Sequence, residues 1–387
     1  DKKLFWAAEN ITGTIHNIYT LRGALVRDAL KWSKEINAAI YKFGPDIEVM
    51  IASHSWPRWG NDRVLEVMKD QRDTYANLNN GVLHLANQGV TINQIHNVYK
   101  VPEGLQKKWH ARSYHGSVEH NSRAVINRYL GYWDANPTTL IPLSPEDSAP
   151  LYVEMMGGAD KIISKGQSLY DNGKYKLATE ILNKLVYAEP DNQKAKDLLA
   201  DNFEQIGYQQ ESPSVRNSFL AAAFELRNGI VKGITPKGTG PDMVRAMSTG
   251  LWLDYLAIRL DGDKVRGLSG KINLVTPDNN EKYVVELSNE TLNIIEGYQA
   301  KDAGLSISIN RADLVPIMMG VKTFDDQIRA GKATFKGDRK IFDQLRVAMA
   351  DFDLFFEMMP GTGEKKPASP EARPMQVQEG SVAPNID

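Results

Sequence analysis

Cysteine is absent from all 387 residues. That excludes a disulfide framework, cysteine-ligated zinc and a cysteine nucleophile. It fits a cytosolic or an exported protein, and a periplasmic or secreted location is the expectation. An excess of one charge is also missing: 46 Lys and Arg stand against 48 Asp and Glu, for a net charge of −2. The basic residues are scattered and do not interleave with aromatics, so the footprint of a nucleic-acid binder is absent. No apolar run approaches the roughly 20 residues of a bilayer span, so no stable membrane insertion is expected. Histidine is scarce, with seven in the chain, so each one is a candidate to be placed.

What is present begins with two short stretches. Ala8-Glu9-Asn10 follows the apolar run Leu4-Phe5-Trp6-Ala7, and Ala52-Ser53-His54 follows Ile47-Glu48-Val49-Met50-Ile51. A carboxylate and a histidine at the ends of two buried strands is a common way for an α/β enzyme to present metal ligands. The strand-like run starts almost at Asp1, which predicts a domain whose first part lies outside this chain. Residues 1–77 read as strand, helix, strand, helix, with apolar positions at helical spacing over residues 21–43 (Leu25, Leu30, Trp32, Ile36, Ile40) and a second helix over 62–77. Two strands are too few to close an α/β domain, so partner strands are expected from elsewhere.

Residues 78–230 read as all helical, with a polar, proline-bearing break at 136–150. From Gly166 to Tyr208 the small and apolar residues (Gly166, Gly173, Ala178, Leu182, Ala195, Gly207) have the spacing of a tetratricopeptide-type helix pair, which cannot bury its apolar face alone. Residues 228–241 read as a linker. Residues 242–359 read as an α+β domain: a helix over 244–260, four strands (271–276, 282–287, 291–296, 305–309), then helices over 311–319, 323–330 and 338–351. Residues 360–387, rich in Pro, Gly, Glu and Ser, are expected to be disordered.

Several longer strings share one pattern: His16-Asn17-Ile18-Tyr19-Thr20-Leu21-Arg22-Gly23, Ser53-His54 with Trp56-Pro57 and Trp59-Gly60-Asn61, Leu85-Ala86-Asn87-Gln88-Gly89, and Met156-Gly157-Gly158-Ala159. In these the chain resembles the C-terminal two-thirds of an alkyl sulfatase, the SDS-hydrolase group of the metallo-β-lactamase superfamily. The resemblance covers about nine-tenths of the chain. It implies a mixed fold: the end of a metallo-β-lactamase α/β domain (1–77), an all-helical dimerisation domain (78–230) and a sterol-carrier-like domain (242–359). It implies zinc, two ions per site, an alkyl sulfate such as dodecyl sulfate as substrate, and a homodimer. The family's His-x-His-x-Asp-His motif is not in these residues and would lie before Asp1.

The resemblance makes Glu9 the carboxylate shared by the two zinc ions and His54 a ligand of the second. Arg22 would hold the sulfate, with Asn17 and Tyr19 as further substrate contacts. His115 is the first choice and His120 the second for the histidine that moves a proton. These roles are chemically coherent: zinc makes a hydroxide near neutral pH, and a planar guanidinium matches a sulfate. The plain alternatives are a helix-capping Glu9, a packed core His54, an ion-paired Arg22 at a helix start and a merely packing His115. His16 could lie behind the ligands or do nothing. Leu251, Trp252, Leu305, Ile307, Met318 and Met319 would line an apolar cavity in the last domain. Two other functions stay open: a non-catalytic dimeric scaffold with a lipid-carrier domain, and another metallo-β-lactamase-fold hydrolase acting on thioesters or phosphoesters.

Overall fold

The structure, a computed structural model, describes residues 3–231, 240–353 and 355–363. The chain divides into two compact units, residues 1–231 with 357–387, and residues 232–356.

In the first unit, β1 (Leu4–Trp6), β2 (Val49–Ile51) and β3 (Arg58–Trp59) form a three-stranded sheet in that order. β1 and β2 are parallel, with Trp6 opposite Ile51, and β3 returns antiparallel. The crossover between the parallel strands carries α1 (Ala29–Phe43), as a parallel pair requires. Asp28 caps α1, accepting from the Lys31 amide at 2.9 Å. Residues 21–28, predicted as helix, are not: Gly23 sits at φ 80° and Leu25 is 92% exposed. Trp32, Ile36 and Ile40 keep their helical spacing and face the core, where Trp32 stacks on Tyr75 at 4.8 Å.

Tyr75 belongs to α2, one continuous helix over Asn61–Ala86. The boundary expected between residues 77 and 78 falls inside it. After α2 come two single-turn helices, α3 (Ile95–Val98) and α4 (Glu103–Gln106), and then α5 (Val118–Leu130), capped by Ser117. The remaining helices are α6 (Pro145–Met155), α7 (Ala159–Asp171), α8 (Tyr175–Ala188), α9 (Gln193–Tyr208) and α10 (Pro213–Asn228). They pack around Leu182, Leu185, Leu199 and Phe203. Gly166 lets α7 meet α8: a Cβ there would lie 3.0 Å from the Leu182 side chain.

Residues 357–363 return to this helical core. Met359 is buried in it, and Glu225 accepts from the amides of Met358 (2.8 Å) and Met359 (3.0 Å) and from the Thr362 hydroxyl (2.6 Å). The start of the expected disordered tail, residues 360–363, is therefore docked. Residues 364–387 lie outside the described residues, as does 232–239 of the expected linker.

The second unit has α11 (Pro241–Ala246), α12 (Thr249–Arg259), β4 (Gly270–Thr276), β5 (Glu281–Ser288), β6 (Thr291–Glu296), β7 (Leu305–Ile309), α13 (Arg311–Met318), α14 (Phe324–Arg329), β8 (Ala333–Gly337) and α15 (Lys340–Ala348). The single helix expected over 244–260 is broken at Ser248, whose side chain caps α12. The sheet order is β6-β5-β4-β7-β8, with β4 and β7 parallel and every other neighbour antiparallel. It is thus not a simple meander, and it has a fifth strand that the sequence reading missed. The mixed α+β content agrees with expectation.

Candidate functional site

Residues 11–18 are buried throughout, yet they make no regular strand. Buried backbone groups must be paired, and here side chains pair them. Gln71 of α2 accepts from the Thr12 amide at 3.2 Å and donates to the carbonyls of Thr12 (2.6 Å), Thr14 (3.1 Å) and His110 (3.0 Å). The Tyr75 hydroxyl accepts from the His16 amide at 2.9 Å. Asn121 of α5 accepts from the Ile18 amide and donates to the His16 carbonyl, both at 2.9 Å. The loop carrying His115 is drawn in at Gly116, whose amide donates to the Ile15 carbonyl at 2.7 Å. A Cβ on Gly116 would stand 2.5 Å from the His16 backbone.

The parallel register brings Glu9 and His54 together. Trp6 is opposite Ile51, and each functional side chain lies three residues beyond its strand end. The Ser53 amide donates to the Ala8 carbonyl at 2.8 Å, carrying the pairing forward. Ala8 (φ 46°) and His54 (φ 60°) both adopt left-handed backbone. That is an uncommon and costly conformation for residues with a Cβ, and such strain clusters at functional sites.

The Glu9 carboxylate lies between two imidazoles. Its Oε1 is 3.1 Å from His54 Nε2 and its Oε2 is 3.7 Å from His16 Nε2. The hydrogen bond from His54, aided by the neighbouring positive charge, holds the Glu9 carboxyl below the usual range. His115 stacks on His54 with centroids 3.9 Å apart and lies 4.4 Å from the His16 ring. One potential ligand atom from each of His16, His54 and His115 falls within 4.8 Å of the others. Burial, and then the charges His16 and His54 would carry, push the His115 ring down to about 4, so it is uncharged at neutral pH.

His16 is buried at 3% exposure. Its Nδ1 pairs with the Asn17 carbonyl at 2.9 Å. A carbonyl only accepts, so the hydrogen is on Nδ1 and the Nε2 lone pair faces the site. That Nε2 is buried without a hydrogen-bond partner.

Of the residues singled out from sequence, Glu9, His54 and His115 meet at this point. No helix follows Glu9 for it to cap, and the His54 side chain, 39% exposed, is not a core histidine. Asn17 sits behind the cluster at 2% exposure, its Nδ2 donating to the His115 carbonyl at 3.0 Å and to Ser214 Oγ at 3.3 Å. Tyr19 and His120 are neighbours of each other: His120 Nε2 donates to the Tyr19 carbonyl at 2.9 Å, and the rings are 5.7 Å apart. His120 is not in the three-histidine group, and burial holds it below its ordinary pKa. Arg22 is exposed and its guanidinium has no ion pair among the described residues.

Two residues went unassigned in the sequence. The sequence assigns no definite role to His16 and none to Arg27. Arg27 donates from one nitrogen to the Asn17 carbonyl (2.9 Å) and the Thr20 hydroxyl (3.0 Å), and its charge is felt by Glu9, His16 and His115. Its signal is an arginine shortly after the His16-to-Arg22 string and five residues before Trp32 of α1, whose ring its guanidinium approaches at 6.0 Å.

The second unit holds an apolar cavity of about 450 Å³ lined by Trp252, Leu256, Ile272, Ile307, Met318 and Phe342 among others. Trp252, Ile307 and Met318 are where the sequence reading put them. Leu251 is 56% exposed, and Leu305 and Met319 are not on the wall. Arg259, Lys322, Arg346 and Asp325 add charged groups to the lining, with Arg346 paired to Asp325 at 3.5 Å and Arg259 to Asp351.

Among known proteins, the alkyl sulfatase dimerisation family model matches residues 91–229, and the alkyl sulfatase C-terminal model matches residues 237–361. The chain is 42% identical over 359 residues to a linear primary-alkylsulfatase from Pseudomonas sp., covering 93% of this chain and 53% of that protein. It is 39% identical to an (R)-specific secondary-alkylsulfatase from Pseudomonas sp., covering 87% of this chain and 51% of that one. The solved structure of the stereoselective inverting sec-alkylsulfatase Pisa1 from Pseudomonas sp. superposes with a TM-score of 0.86 at 37% identity, over 92% of this chain and 56% of that one. The chain spans about half the length of the curated relatives it matches. With its dimerisation and C-terminal regions both matched and its fold shared, the chain belongs to the alkyl sulfatase family.

Proposed function

We propose that this chain contributes to the active site of a zinc-dependent alkyl sulfatase that hydrolyses esters such as dodecyl sulfate to alcohol and inorganic sulfate. One observation carries the reading: Glu9, His54 and an uncharged His115 converge at the ends of two parallel strands. The names of the relatives, linear primary and (R)-specific secondary alkylsulfatases, support the sulfate ester as substrate class. The β1–β2–β3 sheet with α1 and α2 is compatible with part of a metallo-β-lactamase fold.

The residues present fit zinc. Imidazole nitrogen and carboxylate oxygen are ligands it accepts, and His16 Nε2 is a buried lone pair with no partner. Glu9 and His54 would hold metal at a site of two ions. When bound, zinc supplies a hydroxide near neutral pH and neutralises charge on the sulfate. His115, uncharged, accepts a proton from water and returns it to the leaving alcohol oxygen. Arg22, free of any described ion pair, is suited to bind two sulfate oxygens at once. Asn17 keeps the His115 loop in place through that residue's carbonyl. The apolar cavity of the second unit suits an alkyl chain and supports a sterol-carrier-like role there. A homodimer is supported by the dimerisation region and by the exposed apolar residues Ile141, Leu143, Leu151 and Met155 within it.

The test joins this chain to the N-terminal half of the 42%-identical relative and measures sulfate release from dodecyl sulfate with zinc. The chimera is expected to turn over, and His54→Ala to cost it about 100-fold or more. A His54→Ala chimera within about twofold of its parent would sink the reading. Arg22→Ala should slow sulfate release. If it has no effect, a thioester or phosphoester is the better substrate class.

A further inference from the structure

We propose that Arg58 and Arg63 form an oxyanion site, separate from the histidine cluster, that takes a sulfate group. The inference goes beyond the sulfatase reading, because none of Glu9, His16, His54 and His115 lines this place. It is a cavity of about 400 Å³ in the first unit. β3 brings Arg58 to its wall, the first turns of α2 bring Arg63 and Glu66, and the segment after α4 brings Lys107 and Lys108.

Arg58 carries the argument. It is only 5% exposed, and among the described residues its one hydrogen bond runs from Nη1 to the Trp56 carbonyl at 3.1 Å. Burial and the neighbouring charge of Arg63 hold its pKa down, and no carboxylate offsets either effect. The Trp56 ring, 5.8 Å from Cζ, gives it a cation–π contact, which spreads the charge over an apolar face but does not neutralise it. A buried guanidinium without a counter-ion is costly, so the arrangement calls for an anion.

The other charges around the cavity are already matched. Lys107 pairs with Glu103 at 2.6 Å. Lys108 pairs with Glu66, the carboxylate on the wall, and with Asp70 at 3.5 Å. Asp70 also holds His110 at 2.6 Å. What remains is a pair of guanidiniums close enough for one to depress the pKa of the other, with no carboxylate partner among the described residues. Such a pair suits a tetrahedral oxyanion, because each planar fork can donate two parallel hydrogen bonds. Trp56 and Trp109, 66% and 53% exposed, set indole faces beside the charge. Those faces suit the first carbons of a sulfate ester, so inorganic sulfate and an ester headgroup share the chemistry of this site.

The test titrates the Arg22→Ala chain by calorimetry at constant ionic strength, once with sodium sulfate and once with hexyl sulfate. The Arg22→Ala background removes any sulfate held at Arg22. The expected result is saturable uptake of about one sulfate group per chain. Adding Arg63→Ala should weaken it about 10-fold or more, and Arg58→Lys, which keeps the charge and loses the fork, should weaken it as well. Circular dichroism checks the fold of Arg58→Lys, and the exposed Arg63 gives a variant that does not disturb packing. Tighter uptake of hexyl sulfate assigns the site to the ester, and tighter uptake of sulfate assigns it to the free anion. No saturation with either ligand overturns the inference, as does saturation that both variants leave within about twofold. Uptake that disappears when the chain is joined to the N-terminal half, as in the chimera above, also overturns it, because residues before Asp1 then supply the counter-ion. Dodecyl sulfate turnover by the chimera decides the sulfatase reading separately from any of these results.

Discussion

Replacing Gly116 by alanine tests how the site is assembled. An added Cβ would lie 2.5 Å from the His16 carbonyl carbon, 2.6 Å from its oxygen and 2.8 Å from the Asn17 amide nitrogen. All three are backbone atoms, so no side chain can swing aside. They are themselves held by Tyr75 and Asn121. The His115 loop must retreat by most of an ångström, losing the 2.7 Å bond from Gly116 to the Ile15 carbonyl. Overpacking of this kind costs about 1–3 kcal/mol. Gly116 does not occupy the left-handed region, so alanine should recover about 0.4–1 kcal/mol by restricting the unfolded chain. The net expectation is a loss of up to about 2.6 kcal/mol, centred on about 1.3, or roughly 3–5 °C in Tm at that centre for a unit of this size. Denaturant melts give the first number. NMR titration gives a second readout: with the loop displaced, His115 should titrate nearer its ordinary value than the folded protein's pH of about 4. A Gly116→Ala chain as stable as wild type, with His115 titrating unchanged, would refute the close approach on which the site depends.

Gln71→Leu removes the partner of three carbonyls and one amide in a buried loop, and should cost about 2–4 kcal/mol in urea melts. A loss under about 0.5 kcal/mol would mean that solvent reaches the loop. Glu225→Ala leaves the Met358 and Met359 amides without their acceptor, and those two amides should exchange hydrogen at least about 10-fold faster while the α7–α8 contact keeps its protection. Acid should destabilise the first unit early. Burial disfavours the charged forms of His115 and His120 in the folded chain, so the unfolded chain takes up protons first as pH falls below about 6.5. Stability measured from pH 8 downward should therefore be flat at first and decline below that point, and a rise on acidification would reverse the assigned direction.

Much of this was legible in the sequence because it is local. The short apolar runs ending at Trp6 and Ile51 mark two strands, and equal offsets to Glu9 and His54 follow from their parallel pairing. Trp32, Ile36 and Ile40 mark α1 by their spacing, whereas Leu25 matched the same period and is solvent-exposed, because Gly23 and the Asp28 cap stop the helix from reaching it. β8 was missed because its five residues include Lys336 and end in glycine, and only pairing with β7 makes them a strand. His16 was invisible for a different reason. Its chemistry depends on a loop about 100 residues later, closed by Gly116, and on amides of Gln71 and Asn121 that look in sequence like ordinary polar positions on helices.

The docking of residues 357–363 bears on the order in which the chain can fold. Met359 completes a core whose other members end at Leu226, and Lys196 reaches the Gly361 carbonyl across 165 positions. The helical unit therefore gains Met359 and the hydrogen bonds of residues 357–363 only after the whole sheet-bearing unit has been synthesised. During translation the acceptor on Glu225 waits unpaired while more than a hundred residues emerge, and the second unit folds as an insertion between two parts of the first. Contacts of such separation close slowly because the connecting loop must first surrender its entropy. A truncation that removes everything after residue 231 would accordingly remove a piece of the first unit along with the second.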